Sequence, residues 1–225
     1  MSDFILELKT LCNREWDEIK NGTFFKLAME MKDPELYILT LIQIYHYTKY
    51  NAINQASAVF QEDHKKVGLI HFALKHAIEE LGHENMVVHD LKSIGVEETV
   101  LLSPPLPATE ALSGYLDSVA MKQGTIARLG YSFWAEDSYE QLKPLLEVCK
   151  TNLGLSDNQM TFFIAHADID VQHALDVENA ILDWVSSDEE RESVKQVART
   201  SLYLTGKILE GVAHQYLEKQ MTPND

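Results

Sequence analysis

This chain has little of what marks most function classes. It has only two cysteines, Cys12 and Cys149, far apart in sequence. That spacing builds neither a disulfide framework nor a zinc knuckle, and a reducing cytoplasm is the expected compartment. No run approaches eighteen apolar residues, so no membrane-spanning helix is expected. The opening MSDFILELKT lacks a basic stretch followed by an apolar core, so no secretory signal is expected. Basic residues are scarce: 19 Lys and Arg face 35 Asp and Glu, a net charge of −16. Phosphate binding needs clustered cations, which argues against a nucleic-acid groove and equally against an anionic membrane surface. Strand signals are missing too. Val, Ile and Thr do not collect in alternating runs, and the one Asn-Gly pair, Asn21-Gly22, lies between helical patterns.

What is there reads as helix. An opening helix is expected over residues 3–20, ended by Gly22 in a left-handed conformation. A short one follows at about 23–31, and a longer one, with Asp33 as N-cap and Pro34 at its first position, runs to about residue 60. The next long helix is expected over 67–93. The stretch SPPLPATE, residues 103–110, holds three of the six prolines and forms an extended connection. Further helices are expected over 109–134, 138–150, from a Ser156-Asp157 cap to about 185, and from Ser187 to about 220. The sum is one all-α domain over residues 1–225, a helical bundle of about seven or more helices.

Two segments carry chemistry. In FFIAHADIDVQHAL, His166, Asp170 and His173 have spacings of four and three residues, which stack them on one helical face. In HFALKHAIEELGHENMV, His76, Glu80 and His83 repeat the same spacings. Imidazole and carboxylate together suit a first-row metal such as iron or manganese. Glu80-x-x-His83 and Asp170-x-x-His173 repeat one device, which di-metal carboxylate bundles place on two helices. Either pair alone reads more simply as a solvated helix face. Both stripes, however, sit among apolar neighbours such as Leu69, Phe72, Phe162 and Phe163, and buried polar groups need partners.

Two further regions stand out. Glu136 ends LGYSFWAE, where it either looks into solvent or turns inward as a ligand, and the residues leave both readings open. Gln43, His46, Tyr47 and Asn51 are polar positions within the apolar run LIQIYHYTKYNAINQASA. Aromatic residues in such places usually build core or rim; Trp134, Tyr131, Tyr45, Phe163 and Tyr203 are the candidates for pocket walls.

Together these segments make the chain resemble the haem-oxygenase-like di-iron oxidases and oxygenases, over roughly residues 35–215. The resemblance rests on Glu79-Glu80-Leu81-Gly82-His83 with the following Asp-Leu-Lys-Ser-Ile-Gly helix end, on Leu129 to Glu136, and on His166, Asp170 and His173. It implies a compact haem-oxygenase-like bundle that activates dioxygen to oxidise a small molecule such as an amino acid, amine or fatty acid. It also implies a metal-ligand set of Glu80, His83, Glu136, His166, Asp170 and His173, holding two irons per chain with manganese as the alternative metal.

The family usually draws one more carboxylate from the first core helix, but residues 36–60 contain no Asp or Glu. Gln43 or His46 stands there instead, which predicts that one metal is held more weakly. His76, a turn before Glu80, is a further ligand or a support for one. The implied partners are a small-molecule substrate and dioxygen, with a homodimer as a plausible assembly. Relatives of the same fold keep a non-metal reading open: thiaminase-II-like hydrolases, quinone-cofactor synthases, or a binding protein on the same bundle. The hydrolases need a pocket cysteine, and Cys12 and Cys149 fall outside the motifs. Haem oxygenase uses a histidine near its N-terminus, and none precedes His46.

Overall fold

The structure, a computed structural model, describes residues 3–221, and their side chains apart from those of 168–170. Ten α-helices and three short 3₁₀ turns account for its regular structure, and no strand occurs among the described residues. The first half comprises α1 (Asp3–Lys20), α2 (Thr23–Ala28), α3 (Glu35–Ala58), α4 (Val67–Glu79) and α5 (Glu84–Ser93). The second comprises α6 (Pro107–Lys122), α7 (Gly124–Ala135), α8 (Ser138–Leu153), α9 (Thr161–Trp184) and α10 (Asp188–Met221).

The helix α7 forms the centre, with every residue from Gly124 to Trp134 buried. Its main neighbour is α10, and it also meets α9, α6, α3 and α4. Close approach of α7 and α10 depends on Gly130, where a Cβ would sit 2.1 Å from the Val194 carbonyl oxygen. One bond ties the pair further: Trp134 Nε1 donates to Ser201 Oγ at 2.8 Å. The charged residue of this helix, Arg128, is 2% exposed. Its guanidinium donates to the side-chain oxygens of Asn54 (2.7 Å), Asn51 (2.6 Å), Gln55 (3.1 Å) and Ser132 (3.0 Å). Those bonds offset the cost of burying its charge.

Two helices expected to be continuous are broken. The 67–93 helix stops at Glu79 and restarts at Glu84, with Gly82 at φ +94° in the intervening turn. A residue at that angle cannot propagate an α-helix, and glycine reaches it without a Cβ penalty. The 109–134 helix is interrupted at Gln123, because Gly124 has φ +82°. Gly22, expected to be left-handed, is extended instead, at φ −71° and ψ 175°. Its smallness serves a close approach: a Cβ there would lie 2.3 Å from Glu210 Oε1.

That contact exposes a device used three times by carboxylates distant in sequence. Glu210 accepts from the Phe24 N–H at the start of α2 (3.0 Å), and Glu62 from the Thr125 N–H at the start of α7 (2.8 Å). At the start of α9, Asp90 accepts from the Thr161 and Phe162 N–H groups at 2.8 and 3.0 Å. Ser156, expected to cap α9, closes a capping box with Gln159 on the preceding 3₁₀ turn. Carboxylates at helix N-termini satisfy otherwise unpaired N–H groups and complement the macrodipole.

Candidate metal centre

The broken helix brings Glu80 and His83 to one place by a turn rather than by helical stacking. Glu80 lies at the end of α4 and His83 at the start of α5, with Glu80 Oε2 3.2 Å from His83 Nδ1. From α4 itself comes His76, whose Nε2 lies 3.2 Å from Glu136 Oε1 and 4.0 Å from Glu80 Oε1. Glu136 follows α7 directly and turns inward, while Asp137 beside it is exposed. His173, from α9, places Nδ1 3.4 Å from both Glu80 Oε1 and Glu136 Oε2. About two turns earlier on α9, the His166 ring lies 4.9 Å from the His83 ring.

Two groups of candidate ligands result. His76, Glu80, Glu136 and His173 form one; Glu80, His83 and His166 form the other. Within each, the ligand atoms lie within 4.8 Å of one another, and Glu80 belongs to both.

Whether a metal fits can be judged from the ligand atoms. Both ring nitrogens of His76, Glu80 Oε1, His83 Nδ1 and His173 Nδ1 are buried without a hydrogen-bond partner. Apart from His76 Nδ1, each lies within ion-pair distance of another member of the cluster without being aligned for a hydrogen bond. Buried polar atoms left this way cost free energy unless something else satisfies them. Imidazole nitrogens and carboxylate oxygens facing a shared space are the ligands of a first-row cation. The outer atoms, by contrast, are held: His166 Nδ1 donates to the Phe162 carbonyl, which leaves Nε2 for a ligand role, and Glu79 Oε2 lies 3.4 Å from His173 Nε2. Supports of this kind orient metal-binding imidazoles.

Electrostatics agree with a cation site. Burial alone would raise the Glu80 carboxyl, but the His173 and His83 imidazoles outweigh it and hold it well below the carboxylate range. Glu136 is lowered despite burial by His173 and His76. Burial would lower His173, yet Glu136 and Glu80 carry it up to about 10. The carboxylates thus hold a proton on His173 where a metal ion would put its charge. His166, in contrast, is lowered, mainly by burial.

Beside this cluster lies a cavity of 160 Å³, walled largely by apolar side chains, with Glu80, Glu136 and His166 on its surface. Trp134, Tyr131 and Phe163 line it as expected, but Tyr45 and Tyr203 do not. Tyr203 is instead exposed, and Tyr45 packs against the core. Neither proposed stand-in on α3 joins a ligand group. His46 belongs to neither group, and its Nδ1 lies 3.5 Å from Lys49 Nζ. Gln43 lines the cavity, but its Oε1 is occupied by the Leu106 N–H and the Thr109 hydroxyl. The Asp170 side chain lies outside the described residues. Glu79 was missed as a support for His173, although its place in the Glu79-Glu80-x-x-His83 run was visible.

A family model described as iron-containing redox enzyme matches residues 39–206. Among solved structures, a domain of unknown function with a haem oxygenase-like fold from Shewanella denitrificans OS217 is 36% identical, with TM-score 0.91 over 98% of this chain and 96% of its own. A TenA homologue from Pseudomonas syringae pv. tomato DC3000 is 15% identical, with TM-score 0.77 over 94% of this chain and 93% of its own. A TenA homologue from Pyrococcus furiosus is 14% identical, with TM-score 0.74 over 93% of this chain and 99% of its own. At such identity the last two speak to the fold alone. A comparison with curated protein sequences finds no match. The all-α bundle, the buried His and Glu cluster and the family match over most of the chain lead to one statement: this chain belongs to the iron-containing redox enzyme family, with a haem oxygenase-like fold.

Proposed function

We propose that this chain is a non-haem iron oxidoreductase that uses dioxygen to oxidise a small organic molecule seated in the cavity beside the cluster. The observation that carries this reading is the sharing of Glu80 by two groups of otherwise unpartnered ligand atoms. His76, Glu136 and His173 would complete one position, and His83 and His166 the other, with manganese as the alternative metal. The second position has fewer described ligands, so it is expected to hold its ion less tightly. When bound, the metal supplies the redox chemistry, activating dioxygen and accepting electrons from the substrate.

The chain's own residues prepare that chemistry. His166 is fixed by the Phe162 carbonyl so that Nε2 remains available, and Glu79 steadies His173. The largely apolar walls make a less polar surrounding than bulk water, which strengthens charge interactions inside. A hydrolase with a cysteine nucleophile finds less support, because neither Cys12 nor Cys149 lines the cavity. We place the whole of residues 1–225 in one functional unit, with a small molecule and dioxygen as its partners and a homodimer as a plausible assembly.

Anaerobic loading with ferrous iron followed by elemental analysis tests the assignment. The wild type is expected to take up to two ions per chain, as two-metal sites do. Glu80→Ala removes the shared ligand and should lose both; His166→Ala should keep the better-liganded one. Wild-type iron content in Glu80→Ala would sink the proposal.

A further inference from the structure

The α3 face that lacks the expected carboxylate is not featureless. Gln43, Tyr47 and Asn51, spaced by four residues, all line the cavity, so they form one row along the helix. The orientation of both amides is fixed by chemistry. The Leu106 N–H can only donate, and it lies 3.0 Å from Gln43 Oε1. The Arg128 guanidinium can only donate, and its Nη2 lies 2.6 Å from Asn51 Oδ1. Each amide must therefore turn its carbonyl oxygen toward these donors, and its NH₂ is what remains. Gln43 is 3% exposed, and its NH₂ has no protein acceptor among the described residues. Between the two stands the Tyr47 hydroxyl; burial pushes its pKa up to about 12, so it too is protonated. No lysine or arginine is among the residues that line the cavity.

We propose that Gln43, Tyr47 and Asn51 form a row of neutral hydrogen-bond donors that selects a substrate with a carbonyl-type oxygen on an apolar body. This deepens the functional reading above and rests on the cavity being where the substrate sits. The row faces the ligand with neutral N–H and O–H groups and carries no charge of its own to balance an ammonium head; the cavity's carboxylates, Glu80 and Glu136, belong to the metal cluster. An apolar body matches the remaining walls, among them Leu112, Leu145, Phe163 and Val212. Arg128, itself held by Asn54, Gln55 and Ser132, acts as a positioning residue for Asn51. The position that lacks a metal-binding carboxylate would thus have become a specificity element.

The test uses two probes of one size, phenylacetamide and 2-phenylethylamine, titrated calorimetrically into the full chain, metal-free and ferrous-loaded under anaerobic conditions. Gln43→Glu keeps an oxygen for Leu106, and Asn51→Asp keeps one for Arg128, so each variant removes the donor and preserves the internal bond. Tyr47→Phe removes only the hydroxyl. The ratio of amide to amine affinity is expected to fall about tenfold or more in Gln43→Glu and Asn51→Asp, the scale of one hydrogen bond to a buried group. Tyr47→Phe should weaken phenylacetamide while leaving the amine unaffected. An unchanged ratio in both acidic variants, or no binding of phenylacetamide to the wild type, overturns the proposal. Iron content measured on the wild type and on Tyr47→Phe, which adds no carboxylate, tests the metal centre separately, so a failed row with iron retained leaves that centre standing.

Discussion

One side chain offers two oxygens, and in Glu80 they point to different partners: Oε1 toward His173 and Oε2 toward His83. An aspartate there would draw both oxygens back by one methylene, away from these partners. The cysteines illustrate the opposite case, in which a reactive group is kept out of the chemistry. Burial pushes both Cys12 and Cys149 up to about 12. The thiolate is the nucleophile, so at pH 8 both thiols should stay protonated and inert. Iodoacetamide is expected to leave the native protein unmodified over an hour and to alkylate both cysteines once it is unfolded, as read by intact mass. Rapid alkylation of native protein would contradict that burial and reopen the cysteine-hydrolase reading.

Elements place these residues, and here a distant carboxylate matters more than local propensity. Asp90 on α5 holds the first two N–H groups of α9, the helix that carries His166 and His173. Asp90→Ala is expected to cost about 1–3 kcal/mol, a lost cap plus buried N–H groups left unpaired. It should also lower metal content, since α9 would lose its anchor, whereas Asp90→Asn, which keeps one carbonyl oxygen, should fall between the two. Thermal unfolding with elemental analysis reads both effects, and a wild-type melting temperature in Asp90→Ala would refute the anchoring role. Periodicity could reveal the helices and the two stripes, because apolar spacing and acid–His spacing are local. It could not reveal that Asp90, Glu62 and Glu210 cap helices far along the chain, since in sequence they look like any other surface acid. The breaks at Gly82 and Gly124 escaped for a related reason: a glycine inside a helical pattern is tolerated unless its φ is positive, and only the backbone discloses that. His76 was visible as a member of the second stripe, but its approach to Glu136 depends on how α4 meets α7.

For the molecule as a whole, protons and metal ions compete for the same charge. In the metal-free protein, His173 is raised from 6.5 to about 10. Its contribution to stability is therefore complete below about pH 6.5 and is lost as pH rises toward 10. Glu80 is depressed from 4.5, so its contribution is present above that value and is lost as pH falls below it. The metal-free fold should be most stable between the two. Metal binding has the opposite slope, because an ion must displace the His173 proton. Each unit of pH below the His173 value then costs up to tenfold in affinity, so moving from pH 8 to pH 6 should weaken binding by up to about 100-fold, or about 2.7 kcal/mol. Manganese(II), which tolerates air, makes this measurable by thermal unfolding. Its stabilisation should be clear at pH 8 and much smaller at pH 6, with protons released on binding at pH 8 in a weakly buffered titration. His173→Ala should abolish most of that pH dependence by removing the competing proton. Equal stabilisation at both pH values in the wild type would mean that the ion binds elsewhere, and that the cluster around Glu80 holds only its own protons.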